Sequence, residues 1–169
     1  MGQGLFTMGY NIAFDIDNVA TMIANCRGIV YTCGNGGSSS AASHFTQDLI
    51  KACGIKSICI TDNVPFITAT ANDDSYDNIF RNFMELFWTA QDLLVLISGS
   101  GNSVNLLKVT EAMRGKVKTI AIVGFDGGEL KNMVDYVIHV PISDMRKAED
   151  KHIQVLHEII DRIGDEPIR

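Results

Sequence analysis

The sequence predicts an α/β fold, a three-layer sandwich in which a five-stranded parallel sheet is covered by helices on both faces. Short apolar runs free of proline follow Gly28 and recur at residues 56–60, 92–97, 118–123 and 136–140, with helical periodicity in the intervals. Such alternation is what parallel strands joined by crossover helices require. The run DLLVLI at 92–97 is apolar without alternation, the pattern of a strand buried on both faces. Glycine- and serine-rich loops stand after two of the strands, GNGGSSS at 34–40 and SGSGNS at 98–103. Ligands in open α/β sheets collect at strand carboxyl ends near a topological switch point, so these loops mark the expected site.

Residues 1–9 are glycine-rich and carry no functional signal; with the helix that follows they make up an expected N-terminal segment, residues 1–27. From Tyr10 onward, Ile12, Ile16, Val19 and Ile23 recur at helical spacing and predict an amphipathic helix ending near Arg27 and Gly28. The main domain is expected over residues 28–163. It opens with a strand, the GNGGSSS turn and an alanine-rich helix carrying His44 and Asp48. A second strand at 56–60 is broken by Thr61, Asp62 and Asn63 before Pro65, and a helix to about Ala71 precedes a polar turn of Asn72, Asp73 and Asp74. Ile79, Phe80, Phe83, Met84 and Phe87 form a helical stripe ending at Trp88, a core pattern whose aromatic density also suits a subunit contact. The strand at 92–97 leads through SGSGNS, with Asn102 or Ser103 as cap, into a helix over 104–114. Strands at 118–123 and 136–140 flank a turn and short helix through DGGELKNM, and the last helix runs from about Lys147 to Ile163. Gly164 ends it, which leaves 164–169 as a loose acidic tail.

Composition narrows the function. A chain of 169 residues with 46% hydrophobic content is long enough for one cored domain and is not disordered. A formal net charge of -6 argues against nucleic acid and anionic membrane surfaces as partners, so any anionic ligand must be held locally. Cys26, Cys33, Cys53 and Cys59 show no CxxC spacing, which predicts reduced thiols rather than disulfides or a cysteine zinc site. Together with the absence of an export signal or a membrane-length apolar run, this gives a cytoplasmic expectation.

Gly34, Gly36 and Gly37 let the backbone approach a ligand closely, and Ser38, Ser39 and Ser40 offer hydroxyls beside the free N–H groups of a helix start. Asparagine followed by glycine is also an ordinary tight turn. SGSGNS repeats the design at a second strand end, however, and two serine-rich loops at helix N-termini suit one phosphate. Neither GxxxxGK[ST] nor a true GxGxxG is present, which leaves a phosphorylated small molecule rather than a nucleotide or dinucleotide. His44 and Asp48 lie four residues apart, on one helix face, a spacing for a shared metal ion or shared acid-base work. Read in isolation, the commoner meaning of such a pair is a packed histidine and a solvated helix charge.

Taken in order, GNGGSSSAASHFTQD, TANDD, ISGSGNSVN, VGFDGGEL and KHIQVLHEII resemble the motifs of the sugar isomerase (SIS) domain, specifically its phosphoheptose isomerase branch, over residues 28–163. The resemblance implies a flavodoxin-like strand order. It also implies an aldose-ketose isomerase converting sedoheptulose 7-phosphate to D-glycero-D-manno-heptose 7-phosphate, or acting on a related phosphosugar, toward the heptose of bacterial cell-surface glycans. It places substrate contacts at Asn35, Gly36, Gly37, Asn72 and Asp73, with Ser38 beside them, and a phosphate loop at Ser98, Gly99, Ser100 and Ser103. His44, Asp48, Glu149 and His157 fall on metal-binding and acid-base positions, with Glu149 also near substrate; the implied ion is divalent, with zinc the expected metal. The implied assembly is a homotetramer, or at least a dimer, and the N-terminal helix is shorter than is usual in the branch.

Moving a carbonyl between adjacent carbons requires removing a proton beside it and returning one a carbon away; Asp48 and His157 are the acid-base candidates. Three positions depart from the family pattern: Asp48 stands for glutamate, Glu149 for glutamine and Gly99 for threonine. Aspartate is shorter by ~1.5 Å, and a misplacement of about 1 Å can cost roughly 100-fold in rate. Glu149 adds a charge that would strengthen a metal site or raise the pKa of a nearby carboxylate. It also precedes His157 by eight residues, ~12 Å along a helix axis, so on spacing alone it can serve another subunit's site. His152, about 140° around the helix from His157, is expected to have no role. The competing reading is a non-catalytic phosphosugar-binding SIS protein, either a sensor or the type that associates with the replication initiator. The latter type lacks the carboxylate after the helix histidine and the late-helix histidine, whereas Asp48 and His157 are both present here.

Overall fold

The computed structural model describes residues 12–164. Five parallel strands, β1 (Val30–Gly34), β2 (Ser57–Cys59), β3 (Leu93–Ser98), β4 (Lys118–Val123) and β5 (Tyr136–His139), lie in the order β2-β1-β3-β4-β5. This is the expected flavodoxin-like order. The helices are α1 (Ile12–Ala24), α2 (Gly37–Lys51), α3 (Val64–Asp73), α4 (Ile79–Phe87), α5 (Val104–Met113) and α6 (Met145–Ile163).

The core forms on both faces of the sheet because successive strand side chains point opposite ways. Leu93, Val95 and Ile97 pack with Ile16 and Ile23 of α1, Phe45 and Leu49 of α2, and Val155 and Leu156 of α6. Leu94 and Leu96 pack with Phe80 and Met84 of α4 and Leu106 and Val109 of α5. All of β3 is buried, the reason its sequence shows no alternation. After β1 the chain passes to the α2 face, and after β3 to the α5 face. Between these divergent connections a crevice opens at the strand carboxyl ends. Pairing of Gly34 with Ile97 sets the two serine loops side by side there.

Several element ends differ from the sequence expectation. α1 stops at Ala24 rather than near Arg27, because the chain must leave the helix for the Gly28 N–H to donate to the Gln91 carbonyl at 3.0 Å. A Cβ on Gly28 would overlap the Asp92 carboxylate. α6 starts at Met145, earlier than Lys147, since Asp144 caps it by accepting from the Lys147 N–H at 3.2 Å. Asn72 and Asp73 form the last turn of α3 rather than a separate turn, an extension favoured by the Asn63 cap and Pro65 in its first turn. The short helix in DGGELKNM is a single 3-10 turn, Leu130–Asn132. α5 likewise ends at Met113. The glycine-rich opening, the helix start at Tyr10 and the loose tail after Gly164 lie outside the described residues. Cys26, Cys33, Cys53 and Cys59 form no disulfide, and no helix among the described residues is long and apolar enough to cross a membrane.

Candidate active site

α2 begins three residues after β1 ends. Gly36 turns the chain there with φ 56°, in the left-handed region that glycine enters without strain. A Cβ on Gly34 would strike the backbones of Ser38 and Ile97, so strand, helix and neighbouring strand meet closely only with glycine at this position. Ser38 is buried, Ser39 half-buried and Ser40 exposed. The three hydroxyls therefore do not line one ligand, because consecutive helical side chains diverge by about 100°.

In the facing loop, Ser98 Oγ accepts from the Gly101 N–H at 3.0 Å and Ser100 Oγ from the Asn102 N–H at 3.2 Å. Each hydroxyl keeps its own hydrogen to donate to an anion. Ser103 is the N-cap of α5, but its side chain makes no bond to that helix. Asn102 does not cap α5 either: its Oδ1 accepts from the Glu129 N–H at 2.9 Å. The loop after β4 braces this turn from behind, with the Leu130 N–H on the Gly101 carbonyl at 3.0 Å.

α6 crosses both loops. Met145 lies over Gly99, its sulfur taking the space that a Cβ would need, and Glu149, one turn on, presses its carboxylate against Gly37. Further along, His157 meets α2. His44 Nε2 and His157 Nε2 stand 2.9 Å apart, and Asp48 Oδ2 lies 3.3 Å from the first and 4.0 Å from the second. The histidine side chains are 46% and 50% exposed and Asp48 21%, so solvent and small solutes reach all three. Only one hydrogen fits between the two Nε2 atoms, and with that hydrogen removed both nitrogen lone pairs are available beside the carboxylate oxygen. The three ligand atoms lie within 4.8 Å of one another, and two imidazoles with a carboxylate are a donor set that suits a divalent cation such as zinc.

The structure separates Glu149 from this cluster, since its eight-residue lead over His157 puts it about 12 Å up the helix axis, at Gly37. Asn72 and Asp73 are exposed at the end of α3 and bond each other at 2.7 Å. Asn35 is held in place by two residues that sequence reasoning missed. Its Nδ2 donates to Asn105 Oδ1 at 2.9 Å while Asn105 Nδ2 donates back to Asn35 Oδ1 at 2.9 Å. Tyr76 of the 3-10 turn Tyr76–Asn78 adds its hydroxyl to the same Asn35 oxygen at 2.8 Å. The one signal for Asn105 was an amide in the first turn of a helix, where the residue is a weak helix former; nothing pointed to Tyr76 or Met145. His152 is fully enclosed, and neither ring nitrogen has a partner in good geometry. Burial pushes its pKa down to about 4, opposed in part by the backbone of Val123.

Residues 9–124 match the family model of the SIS domain. The phosphoheptose isomerase of Vibrio vulnificus is 37% identical over 167 residues, covering 93% of this chain and 86% of that protein. That of Helicobacter pylori is 35% identical over 143 residues, covering 81% and 74%. The solved phosphoheptose isomerase of Neisseria gonorrhoeae superposes with a TM-score of 0.87 at 28% identity, over 91% of this chain and 88% of that one. That of Francisella tularensis gives 0.87 at 29% identity, over 92% and 87%. Matching sequence and matching fold place the chain in the SIS-domain family and, within it, among the phosphoheptose isomerases, aldose-ketose isomerases of sugar phosphates.

Proposed function

We propose that this chain isomerises sedoheptulose 7-phosphate to D-glycero-D-manno-heptose 7-phosphate in the cytoplasm, and that Asp48 and His157 move the protons. The observation that carries the reading is the convergence of His44, Asp48 and His157 from two helices whose N-terminal ends border the serine loops. The backbone and hydroxyls of Ser98, Gly99, Ser100 and Ser103 hold the phosphate at the start of α5. Asn35, Gly36, Gly37 and Ser38, with Asn72, Asp73 and Glu149, border the sugar.

The Asp48 carboxylate takes a proton from the hydroxymethyl carbon while the carbonyl electron pair moves onto its oxygen, and His157 protonates that oxygen to give an enediol. The first hydroxyl then returns its proton to His157 as its oxygen becomes the aldehyde carbonyl. Asp48 delivers its proton to the adjacent carbon, and both groups end as they began. Zinc held by His44, Asp48 and His157 would polarise the substrate oxygens as a Lewis acid. One Nε2 cannot both hold a cation and carry a proton, so the two roles of His157 compete. The deciding experiment is a turnover screen over five- to seven-carbon sugar phosphates, with zinc added and with a chelator. Turnover of sedoheptulose 7-phosphate is expected. Loss on chelation assigns the cluster to a metal, and insensitivity assigns it to proton transfer. A chain that binds these sugars and turns none over is a sensor.

A further inference from the structure

A primary amide has two N–H donors and two acceptor lone pairs. In Asn35 one N–H is given to Asn105 Oδ1 at 2.9 Å, and both lone pairs are taken, by Asn105 Nδ2 at 2.9 Å and by the Tyr76 hydroxyl at 2.8 Å. One N–H remains, with no partner among the described residues. We propose that Asn105 and Tyr76 are positioning residues that fix Asn35 as a single-donor group for the substrate's carbonyl oxygen, the oxygen that gains charge on enolisation.

Turning the Asn35 amide over by itself would set oxygen against oxygen and nitrogen against nitrogen across the Asn105 pair, so the two amides can turn only together, and in the arrangement present Asn35 keeps the spare N–H. Asn105 cannot yield, because it is 2% exposed and sits in the first turn of α5, two residues past Ser103. The pair therefore ties the loop after β1 to the phosphate loop after β3, while Tyr76 reaches over from the chain leading to α4. Asn35 is half-buried rather than sealed in the core. A group with saturated lone pairs cannot accept from a sugar hydroxyl; it can only donate. Its complement is a carbonyl or enediolate oxygen, and a donor held in place beforehand stabilises developing charge without reorganising. This assignment rests on the isomerase reading above for the identity of the oxygen.

The test compares Asn105→Leu and Tyr76→Phe with the unmodified full chain. kcat and KM are measured for sedoheptulose 7-phosphate, and dissociation constants for inorganic phosphate and for a sugar-phosphate hydroxamate, a non-reacting mimic of the enediolate. Asn105→Leu should lower kcat about 10- to 100-fold and weaken the hydroxamate by a similar factor, while KM and phosphate binding hold. Tyr76→Phe, which frees one lone pair and leaves the amide pair intact, should produce a smaller loss of the same pattern. It carries the test alone if Asn105→Leu does not fold, because Tyr76 is 52% exposed. Unchanged kcat and hydroxamate affinity, or equal weakening of hydroxamate and phosphate, overturns the proposal, the latter by showing that the phosphate loop has merely collapsed. If the unmodified chain turns over no heptose phosphate, the isomerase reading falls. The hydroxamate-against-phosphate comparison then still decides whether Asn35 is a positioned donor, and a chain that binds phosphate but not the hydroxamate overturns both.

Discussion

The two histidines of α6 differ in what burial allows them. His157 is half exposed and shares a hydrogen with His44, whereas His152 is enclosed and held neutral by burial, with its pKa at about 4. An unfolded histidine takes up its proton near pH ~6.5. Between there and pH 4 the unfolded chain binds a proton that the native chain refuses, so native stability falls as pH drops through this window, by roughly 3 kcal/mol in all. His152→Leu should remove that slope, as measured by urea unfolding at several pH values; an unchanged slope would assign the effect elsewhere. Asp135 acts in a separate window. Burial raises its pKa, but the Thr119 N–H and hydroxyl and the Lys118 ammonium outweigh that and hold it below the usual carboxylate range. Its contribution is present above about pH 4 and is lost only below it. At position 48 the expected outcomes concern chemistry. Asp48→Asn and His157→Asn should abolish turnover with sugar-phosphate affinity nearly intact, since the serine loops supply most of the binding. Asp48 already reaches His44 at 3.3 Å, so Asp48→Glu should overshoot and slow turnover by roughly 10- to 100-fold. A faster enzyme would show instead that the shorter acid is a compromise.

Helix α6 links the parts of the site, with Met145 on Gly99, Glu149 on Gly37 and His157 on α2. The absence of a side chain at position 99 is therefore matched by Met145, which fills the space. Gly99→Thr should overlap the thioether and raise KM, and Met145→Ala in the same chain should recover much of the loss, a coupling that a double-mutant cycle measures. Additive effects would mean that Met145 moves aside freely. In the phosphate loop, Ser100→Ala and Ser103→Ala should each weaken sugar-phosphate binding by roughly 1 to 3 kcal/mol, the cost of leaving a charged partner without its hydrogen bond. Titration calorimetry reads this directly, and full affinity in both variants would move the phosphate elsewhere.

On the scale of the whole molecule, apolar surface is left uncovered where α3 and α4 meet solvent. No residue of α3 is fully buried although it opens with Val64, Pro65, Phe66 and Ile67, and Leu86 and Phe87 at the end of α4 are 71% and 53% exposed. Scattered exposed leucines need no explanation, but an aromatic helix end beside a partly exposed apolar helix suits a subunit contact. We predict a homotetramer, or at least a dimer. Light scattering at micromolar concentration decides it, and a monomer would remove any role for Glu149 in a neighbouring subunit's site.

Strand positions and both serine loops were legible in the sequence, because apolar period and glycine placement are local requirements of the backbone, whereas the strand order followed from the family resemblance. The His44 and Asp48 pair was legible for the same reason, being one helical turn apart. Asn105 against Asn35, Met145 against Gly99 and Tyr76 over the amide pair were decided only by tertiary structure. Each joins residues far apart in the chain, as His44 and His157 are at a separation of 113 positions. Such meetings depend on which strands neighbour one another and where α6 crosses α2, and no local pattern encodes a crossing point.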